Sequence, residues 1–300
     1  RRWDTTEHRP DDARRTSPKG TSYRPFHDVQ VVVQGEIARN LGDLARDRWH
    51  RATGETVAAP SGGATPWPAN VDADIEDLEV GIVRTRPAFD DAEAMHHTLR
   101  FHERVFELAE RHVYAENQFL TSDAICTALE RVLGHDKPPE VVLVTARENS
   151  GWLETAIMGG LRARFCRRLR DADRSGRLEI LAPRITDEVW PNVHSKLTIV
   201  DDRWAYLGSA NFANRSMGLD TECGIGIDAT GRDDARAALR GLRHRLLSEH
   251  LDVEADELAA SEERHGLLGA VHELAGGERT LKRLEADEPE LGQMLEPVAR

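Results

Sequence analysis

The sequence has few cysteines and no long apolar run. Its three cysteines, Cys126, Cys166 and Cys223, stand far apart and show no C-x-x-C spacing. They therefore fit neither a zinc site nor a disulfide framework, and we expect free thiols. No segment approaches the roughly 20 apolar residues that a membrane-spanning helix needs. A hydrophobic content of 39% is instead typical of a folded globular chain with a substantial core.

A basic stripe is also missing. The 300 residues include 53 acidic and 40 basic side chains, a formal net charge of −13, and no Lys/Arg block stands clear of neighbouring acids. Domains that bind nucleic acids present clustered positive charge to the phosphates. The composition therefore disfavours nucleic acid as a partner.

Neither an initiator methionine nor a signal peptide opens the sequence, which begins RRWDTTEHRPDD. This start predicts an interior point of a longer polypeptide. Targeting stays open on this basis. We expect a cytoplasmic or peripheral-membrane location rather than secretion.

Strand and helix patterns alternate along most of the chain, which predicts an α/β fold with a mixed β-sheet flanked by helices. Short apolar runs predict strands at 29–33, 80–85, 112–119, 140–145, 178–183, 193–201, 203–209 and 222–227. Helical spacing of apolar residues predicts helices at 36–52, 91–112, 122–134, 152–171 and 233–250.

The most informative stretch is VHSKLTIVDDRWAYLGSANFANRS, which begins at residue 193. His194 and Lys196 are two residues apart in a strand-like run, so their side chains should share one face. Burying an imidazole and an ammonium without partners is costly, whereas facing an anion satisfies both. Ser209 and Asn211 add a hydroxyl and an amide after Gly208, which permits a close backbone approach.

This set of groups suits a phosphate diester. An imidazole can attack phosphorus or protonate a leaving oxygen, while an ammonium and an amide neutralise the non-bridging oxygens. Together with Asp201, these make six specified residues at fixed offsets, which should occur by chance in roughly one of 10^5 chains of this length or fewer. The stretch therefore predicts phosphodiester chemistry.

The spacing HxK–x4–D–x6–GSxN resembles the signature of the phospholipase D superfamily. The blocks NRSMGLDTE and YAENQFLTS resemble the subgroup that includes eukaryotic-type phospholipases D, and the matching blocks cover about residues 25–250. The resemblance implies a two-fold repeat with one histidine motif in each half. It also implies chemistry that needs no metal and no cofactor.

Only one copy of the motif is present. HDVQVVVQGEIARN resembles the block that follows the first motif, so the first half is expected to be incomplete, with its histidine upstream of Arg1. In the full-length protein the two halves would form a pseudo-dimer. The expected organisation is a first-half remnant at 1–53, a linker at 54–78, a second catalytic half at 79–252 and a helical C-terminal tail at 253–300.

The resemblance assigns catalytic roles to His194, Lys196 and Glu222. It implies that Glu222 bonds the far ring nitrogen of His194 and fixes its tautomer, while Asp28 orients the absent first histidine. Asp201 belongs to the same catalytic motif, although an anchoring role in the turn after the strand is favoured.

Four further residues are candidate substrate contacts. Ser209 and Asn211 would face the phosphate. Asn117 and Gln118 would either line the pocket or form hydrogen bonds at a strand end.

The implied function is a phospholipase D-like phosphodiesterase that hydrolyses or transphosphatidylates glycerophospholipids through a covalent phosphohistidine, with transient contact to a membrane surface. One alternative is a cardiolipin synthase-like phosphatidyltransferase, which shares the chemistry. A single-motif nuclease of the same superfamily and a catalytically inactive fragment or scaffold are further alternatives.

Overall fold

The computed structural model of the protein describes residues 3–62, 66–90, 92–147 and 152–285, with the side chains of 152–158 left out. Predictions that concern residues 1–2, 63–65, 91, 148–151 and 286–300 lie outside the described residues.

Nine strands form one mixed sheet in the order β11-β6-β5-β4-β8-β9-β10-β2-β3, and a separate two-stranded sheet pairs β1 with β7. β4, β5 and β6 are mutually parallel, whereas the remaining pairs of the large sheet are antiparallel. The strands are β1 Phe26–His27, β2 Val80–Arg86, β3 Met95–His96, β4 His112–Asn117, β5 Glu140–Val144, β6 Leu178–Arg184, β7 Asn192–Val193, β8 Lys196–Val200, β9 Trp204–Gly208, β10 Glu222–Asp228 and β11 Thr280–Arg283.

Helices cover both faces of the large sheet. They are α1 Glu36–Thr53, α2 His97–Glu107, α3 Asp123–Leu133, α4 Trp152–Ala172, α5 Asn214–Gly218, α6 Asp233–Leu251 and α7 Ala255–Leu274. Apolar residues of α2, α3 and α4 form one core with the sheet, and those of α6 and α7 form a second core on its other face. The α/β fold with a mixed, helix-flanked sheet is therefore confirmed.

The predicted strand at 29–33 is wrong. Only Phe26–His27 forms a strand there, and Val31 and Val32 are about half exposed, at 45% and 52%. Residues 28–34 have no regular secondary structure, and Asp28 Oδ1 accepts the backbone N–H of Val29 at 3.0 Å. A β-branched run has high strand propensity, but without a neighbouring strand to pair with it does not form one.

The predicted helix at 91–112 is too long at both ends. Residues 95 and 96 pair with β2 as β3, and the helix ends at Glu107. The backbone N–H groups of residues 110 to 112 are donated to the carboxylate of Asp201, each at 2.8 Å. Because these donors are taken by a side chain from the turn after β8, the helix stops before them.

The C-terminal segment is not a peripheral tail over residues 255–284. Helix α7 buries Leu258, Leu267 and Val271 in the second core, and β11 adds an antiparallel strand to the edge of the sheet at β6. None of the described helices is both long and apolar enough to cross a membrane.

Candidate active site

The two-stranded sheet brings the N-terminal segment to the motif histidine. β1 runs parallel to β7, and the backbone N–H of His194 donates to the carbonyl of His27 at 2.7 Å. The N–H of Asn192 donates to the carbonyl of Pro25 at 2.8 Å. These backbone bonds fix residues 25–28 alongside residues 192–194.

Asp28 is consequently the carboxylate partner of His194. Asp28 Oδ2 lies 3.0 Å from Nδ1 of the ring, in a pair whose side chains are 43% exposed for His194 and 28% for Asp28. A carboxylate accepts the Nδ1–H and so fixes the tautomer that leaves Nε2 free. Among the described residues, Nε2 of His194 has no hydrogen-bond partner. The free nitrogen therefore faces the side from which a substrate can approach.

The predicted pairing of Glu222 with His194 is wrong, and so is the prediction that Asp28 serves only another histidine. Glu222 accepts a short hydrogen bond from the hydroxyl of Ser209 instead. Asp28 takes this place because the register of β1 along β7 puts it beside His194.

Lys196 is buried beside this pair at the start of β8. Its Nζ donates to the carbonyl of His194 at 2.6 Å and to Oε1 of Gln118 at 3.2 Å. Burial lowers the pKa of Lys196 to about 8, against the opposing pull of the Asp28 and Glu222 carboxylates. The ammonium is thus poorly solvated, and an anion brought to it gains a strong charge-assisted contact.

Two glycines place Ser209 next to Glu222. Gly208 at the end of β9 pairs with Gly224 of β10, and a Cβ added to Gly208 would meet the Gly224 Cα at 2.6 Å. The ring of Tyr206 crosses over this pair and would also collide with such a Cβ. The predicted close approach at Gly208 is therefore present, and Ser209 Oγ also accepts the backbone N–H of Cys223 at 3.1 Å.

Asn117 and Asn211 have different surroundings. The amide of Asn117 is buried, accepts the N–H of Phe212 at 2.8 Å and donates to the carbonyl of Ala210 at 3.3 Å. It holds the loop after β9, which is the strand-end role. Oδ1 of Asn211 is buried without a hydrogen-bond partner among the described residues. Gln118 contacts Lys196 and therefore belongs to the site.

Asp201 lies outside the cluster of candidate catalytic groups. Besides the three backbone donors that end α2, its own carbonyl accepts a bond from the Arg111 guanidinium at 2.8 Å, and its φ of 55° is in the left-handed region. The carboxylate is therefore fully used in joining the turn after β8 to the start of β4. This geometry matches the anchoring role rather than a chemical one.

Sequence reasoning missed a buried network behind the site. His27 lies between two carboxylates, with Nε2 at 2.7 Å from Glu116 and Nδ1 at 2.7 Å from Glu249. Nε2 of His250 lies 3.0 Å from Glu116, which also accepts a bond from the Tyr114 hydroxyl. Burial opposes a charge on His27, but the two carboxylates outweigh it and raise the pKa of His27 to about 10. The signal available in the sequence was Glu116, a carboxylate inside an otherwise apolar strand.

This network also contains the groups with metal-ligand spacing among the described residues. The ligand atoms of His8, His27 and Glu249 lie within 4.8 Å of one another, as do those of His27, Glu116 and His250. The distances of 2.7 to 3.0 Å between nitrogen and oxygen are those of hydrogen bonds, and each ring nitrogen of His27 already has a carboxylate partner. The network is therefore explained without an ion.

Comparisons with known proteins match this site to a family. Residues 104–242 match the family model described as "Cardiolipin synthase, PLD-like domain". That range contains β4, the motif from His194 to Asn211, and Glu222. The chain therefore carries a phospholipase D-like domain, and the superfamily predicted from the motif is confirmed.

Two relatives represent different activities within that superfamily. Phospholipase D zeta 1 of Arabidopsis thaliana is 39% identical over 94 residues, which cover 28% of this chain and 8% of the relative. Cardiolipin synthase A of Yersinia pseudotuberculosis is 24% identical over 210 residues, which cover 68% of this chain and 38% of the relative. The chain thus spans well under half the length of either protein.

Among solved structures, the phosphatidylserine synthase of Haemophilus influenzae Rd KW20 is similar with a TM-score of 0.42 and 19% identity. The match covers 79% of this chain and 52% of the other.

Proposed function

We propose that the chain supplies one half of a two-histidine active site that cleaves the phosphodiester bond of glycerophospholipids. The observation that carries the proposal is the His194–Asp28 pair, in which one ring nitrogen is held by a carboxylate and the other is free, beside the buried ammonium of Lys196. An imidazole held in this way can give a proton to a leaving oxygen and take one from an attacking oxygen.

We expect the second imidazole of the active site to lie beside the carboxylate of Glu222. Among the described residues the Glu222 side chain receives a hydrogen bond only from Ser209. A histidine from polypeptide outside this chain, in the same protein or in a second copy, would meet that carboxylate and serve as the nucleophile. The retained pair of Ser209 and Glu222 would then orient it as Asp28 orients His194.

The proposed reaction has two steps, formation and then breakdown of a phosphohistidine. First, the second imidazole attacks phosphorus, the bond to the headgroup oxygen breaks, and His194 Nε2–H gives its proton to that oxygen. Then His194 takes a proton from water or an alcohol, whose oxygen attacks phosphorus, and the phosphorus–nitrogen bond breaks. Lys196 and Asn211 would hold the non-bridging oxygens during both steps.

The test uses the full-length polypeptide that the gene encodes, with short-chain phosphatidylcholine as substrate and butanol as acceptor. Hydrolysis yields phosphatidic acid, and transfer yields phosphatidylbutanol. The matched control is His194→Gln, which keeps a polar side chain of similar size but removes the titratable nitrogen. Equal turnover by the control, or turnover of single-stranded DNA but of no phospholipid, would contradict the proposal.

Transfer between two phospholipids is the second candidate, as in a cardiolipin synthase. The match that covers 68% of the chain favours it, since the plant phospholipase D matches cover shorter parts. Incubation with phosphatidylglycerol as both donor and acceptor separates the two activities. A transferase releases glycerol and forms a product with two phosphates, whereas a hydrolase releases glycerol and phosphatidic acid.

A further inference from the structure

A small cavity adjoins the candidate active site on the side of Glu222. It has a volume of about 160 Å³ and lies between α1, β2 and the start of β10. Its lining includes Leu44 and Arg48 of α1 together with Arg84 of β2. It shares Ser209 and Glu222 with the site itself. At roughly 30 Å³ for each water-sized group it has room for about five such groups, the heavy-atom count of a phosphate.

Two guanidinium groups from different elements converge on this cavity. Neither Arg48 nor Arg84 has a hydrogen-bond or ion-pair partner among the described residues, although the chain carries more acidic than basic residues. The nearest acids on α1 are already paired, Asp43 with Arg46 at 2.6 Å and Asp47 with Arg51 at 3.0 Å. The cavity lining therefore carries two guanidinium groups against one carboxylate, that of Glu222.

The electrostatics at Arg84 point in the same direction. Its side chain is half-buried, and burial together with the positive charges of Arg86 and Arg48 lowers its pKa, against the opposing pull of Cys223 and Asp47. The half-buried Arg84 and the exposed Arg48 repel each other, and an anion between them would remove that repulsion. A planar guanidinium also presents paired N–H donors that match phosphate oxygens.

We propose that Arg48 and Arg84 form an anion subsite for a second phosphate, distinct from the phosphate that is cleaved. The inference rests on the proposed function, in which Lys196 and Asn211 hold the scissile phosphate. The ligand class is an alcohol or lipid headgroup that carries its own phosphate, such as the phosphate of a phosphatidylglycerol acceptor. A choline headgroup, being cationic, gains nothing at this subsite.

Cys223 provides a reporter that needs no turnover. It lines the same cavity and is half-exposed, whereas Cys126 and Cys166 are buried. Burial raises the pKa of the Cys223 thiol, and Arg84 and Arg48 partly oppose that rise. An anion bound between the arginines would both cover the thiol and cancel their charge, and each effect slows alkylation.

The experiment follows alkylation of Cys223 by iodoacetamide with mass spectrometry, at fixed pH and with ionic strength balanced by chloride. The probes are inorganic phosphate, glycerol 3-phosphate, and vesicles of phosphatidylcholine with or without phosphatidylglycerol. We expect a phosphate probe at ten times its Kd to slow alkylation about tenfold, the loss set by simple occupancy. Protection by vesicles only when phosphatidylglycerol is present would identify a lipid as the source, and protection by the soluble probes alone would identify a free phosphate.

Variants distinguish the subsite from the scissile-phosphate site. Protection should disappear in Arg84→Gln and in Arg48→Gln, the latter being exposed on α1 and therefore safe for the fold. It should persist in Lys196→Met and in Arg240→Gln, an exposed arginine of α6 that matches the charge change. Protection that is lost in Lys196→Met but kept in both cavity variants would overturn the subsite, as would its absence in the wild type. Turnover by His194→Gln would overturn the proposed function and leave this result unaffected.

Discussion

His27 and His194 lie one backbone hydrogen bond apart, and in each ring Nδ1 meets a carboxylate oxygen. His27 is 3% exposed and has carboxylates at both nitrogens, whereas His194 is 43% exposed and has one carboxylate at one nitrogen. Two histidines at adjacent backbone positions therefore have different hydrogen-bonding surroundings. Both ring nitrogens of His27 have a carboxylate partner, whereas Nε2 of His194 has no hydrogen-bond partner among the described residues.

The two histidines therefore suit different roles: His27 suits stabilisation of the fold, and His194 suits the proposed reaction. The imidazolium of His27 lies between the carboxylates of Glu116 and Glu249, so loss of its proton would remove the cation that both of them share. His194 can change its protonation at Nε2 without breaking the bond to Asp28. Because Asp28 directly follows His27 at the end of β1, the contacts of the His27 ring also help to hold the carboxylate that bonds His194.

The largest effect should come from removing the reactive imidazole. In the full-length protein, His194→Ala should lower kcat for a phospholipid by about 10^2- to 10^4-fold, the usual contribution of a general acid–base group. The loss should shrink with a nitrophenyl phosphodiester, since that leaving group departs without a proton. Rates across a series of leaving-group pKa values check this. A loss independent of leaving group would make His194 the nucleophile, and inhibition by a chelator would contradict the mechanism.

The next largest effect should be on stability, from the imidazole of His27. His27→Gln should lower the free energy of unfolding by roughly 3 kcal/mol near neutral pH, because it removes the cation that lies between the Glu116 and Glu249 carboxylates. The matched control is His194→Gln at the exposed ring, which should cost less than about 0.5 kcal/mol. Urea titrations of both variants measure the difference. Equal losses of unfolding free energy in His27→Gln and His194→Gln would contradict a special stabilising role of His27.

The same pair of variants has a pH signature. The pKa of His27 is raised in the fold from 6.5 to about 10, so its contribution to stability is complete below pH 6.5 and is lost as the pH rises towards about 10. The difference in unfolding free energy between wild type and His27→Gln should therefore shrink over that window. A constant difference between pH 6 and pH 10 would show that His27 is not charged in the folded state.

A smaller effect is expected from the carboxylate that orients His194. Asp28→Asn should lower kcat by about 10^2-fold and leave stability nearly unchanged, because the amide can donate to Nδ1 and favour the wrong tautomer. The ¹⁵N shifts of the His194 ring should move from the Nδ1–H to the Nε2–H pattern. Glu222→Gln is the comparison variant, and it should leave those shifts unchanged. A shift caused by Glu222→Gln alone would restore the pairing that the motif spacing suggested.

The sequence was sufficient for the elements whose signals are local. The strands at β4, β5, β6 and β10 and the helices α1, α3, α4 and α6 were predicted within about two residues, because apolar periodicity and caps act over short distances. Ser122, for example, caps α3 by accepting the N–H of Ile125. The motif itself was also found from local spacing.

Long-range pairing could not be predicted in this way. The partner of His194 lies 166 residues away in sequence, and nothing near either residue reveals that β1 runs beside β7. The valine run at 29–33 failed as a strand for the same reason, since a strand exists only where a neighbour accepts its hydrogen bonds. The role of α7 and β11 in the second core likewise depends on a sheet edge that only the fold supplies.

The smallest predicted effect concerns Lys196. This residue resembles His27 in its burial and His194 in its proposed role at the active site. It is almost as buried as His27, yet in the proposed function its charge serves a ligand rather than a neighbouring carboxylate. Burial lowers its pKa to about 8, so its ammonium deprotonates within the range of an ordinary assay.

In the full-length enzyme, kcat/KM should therefore fall about tenfold per pH unit above roughly pH 8, because the uncharged amine no longer neutralises the phosphate. In Lys196→Arg, the fall of kcat/KM at alkaline pH should move beyond the accessible pH range, since a guanidinium keeps its proton. The maximum kcat/KM should be lower, because the guanidinium differs in shape from the ammonium. A fall that stays near pH 8 in Lys196→Arg would assign the titration to another group.

Lys196 should also affect the pH dependence of stability, with the opposite sign to that of His27. A base whose folded pKa is depressed destabilises the fold while it is charged, so Lys196 should contribute a rise in unfolding free energy between about pH 8 and 10.5. Lys196→Met should abolish that rise and leave the decline due to His27 intact, which separates the two buried cations in a single pH series.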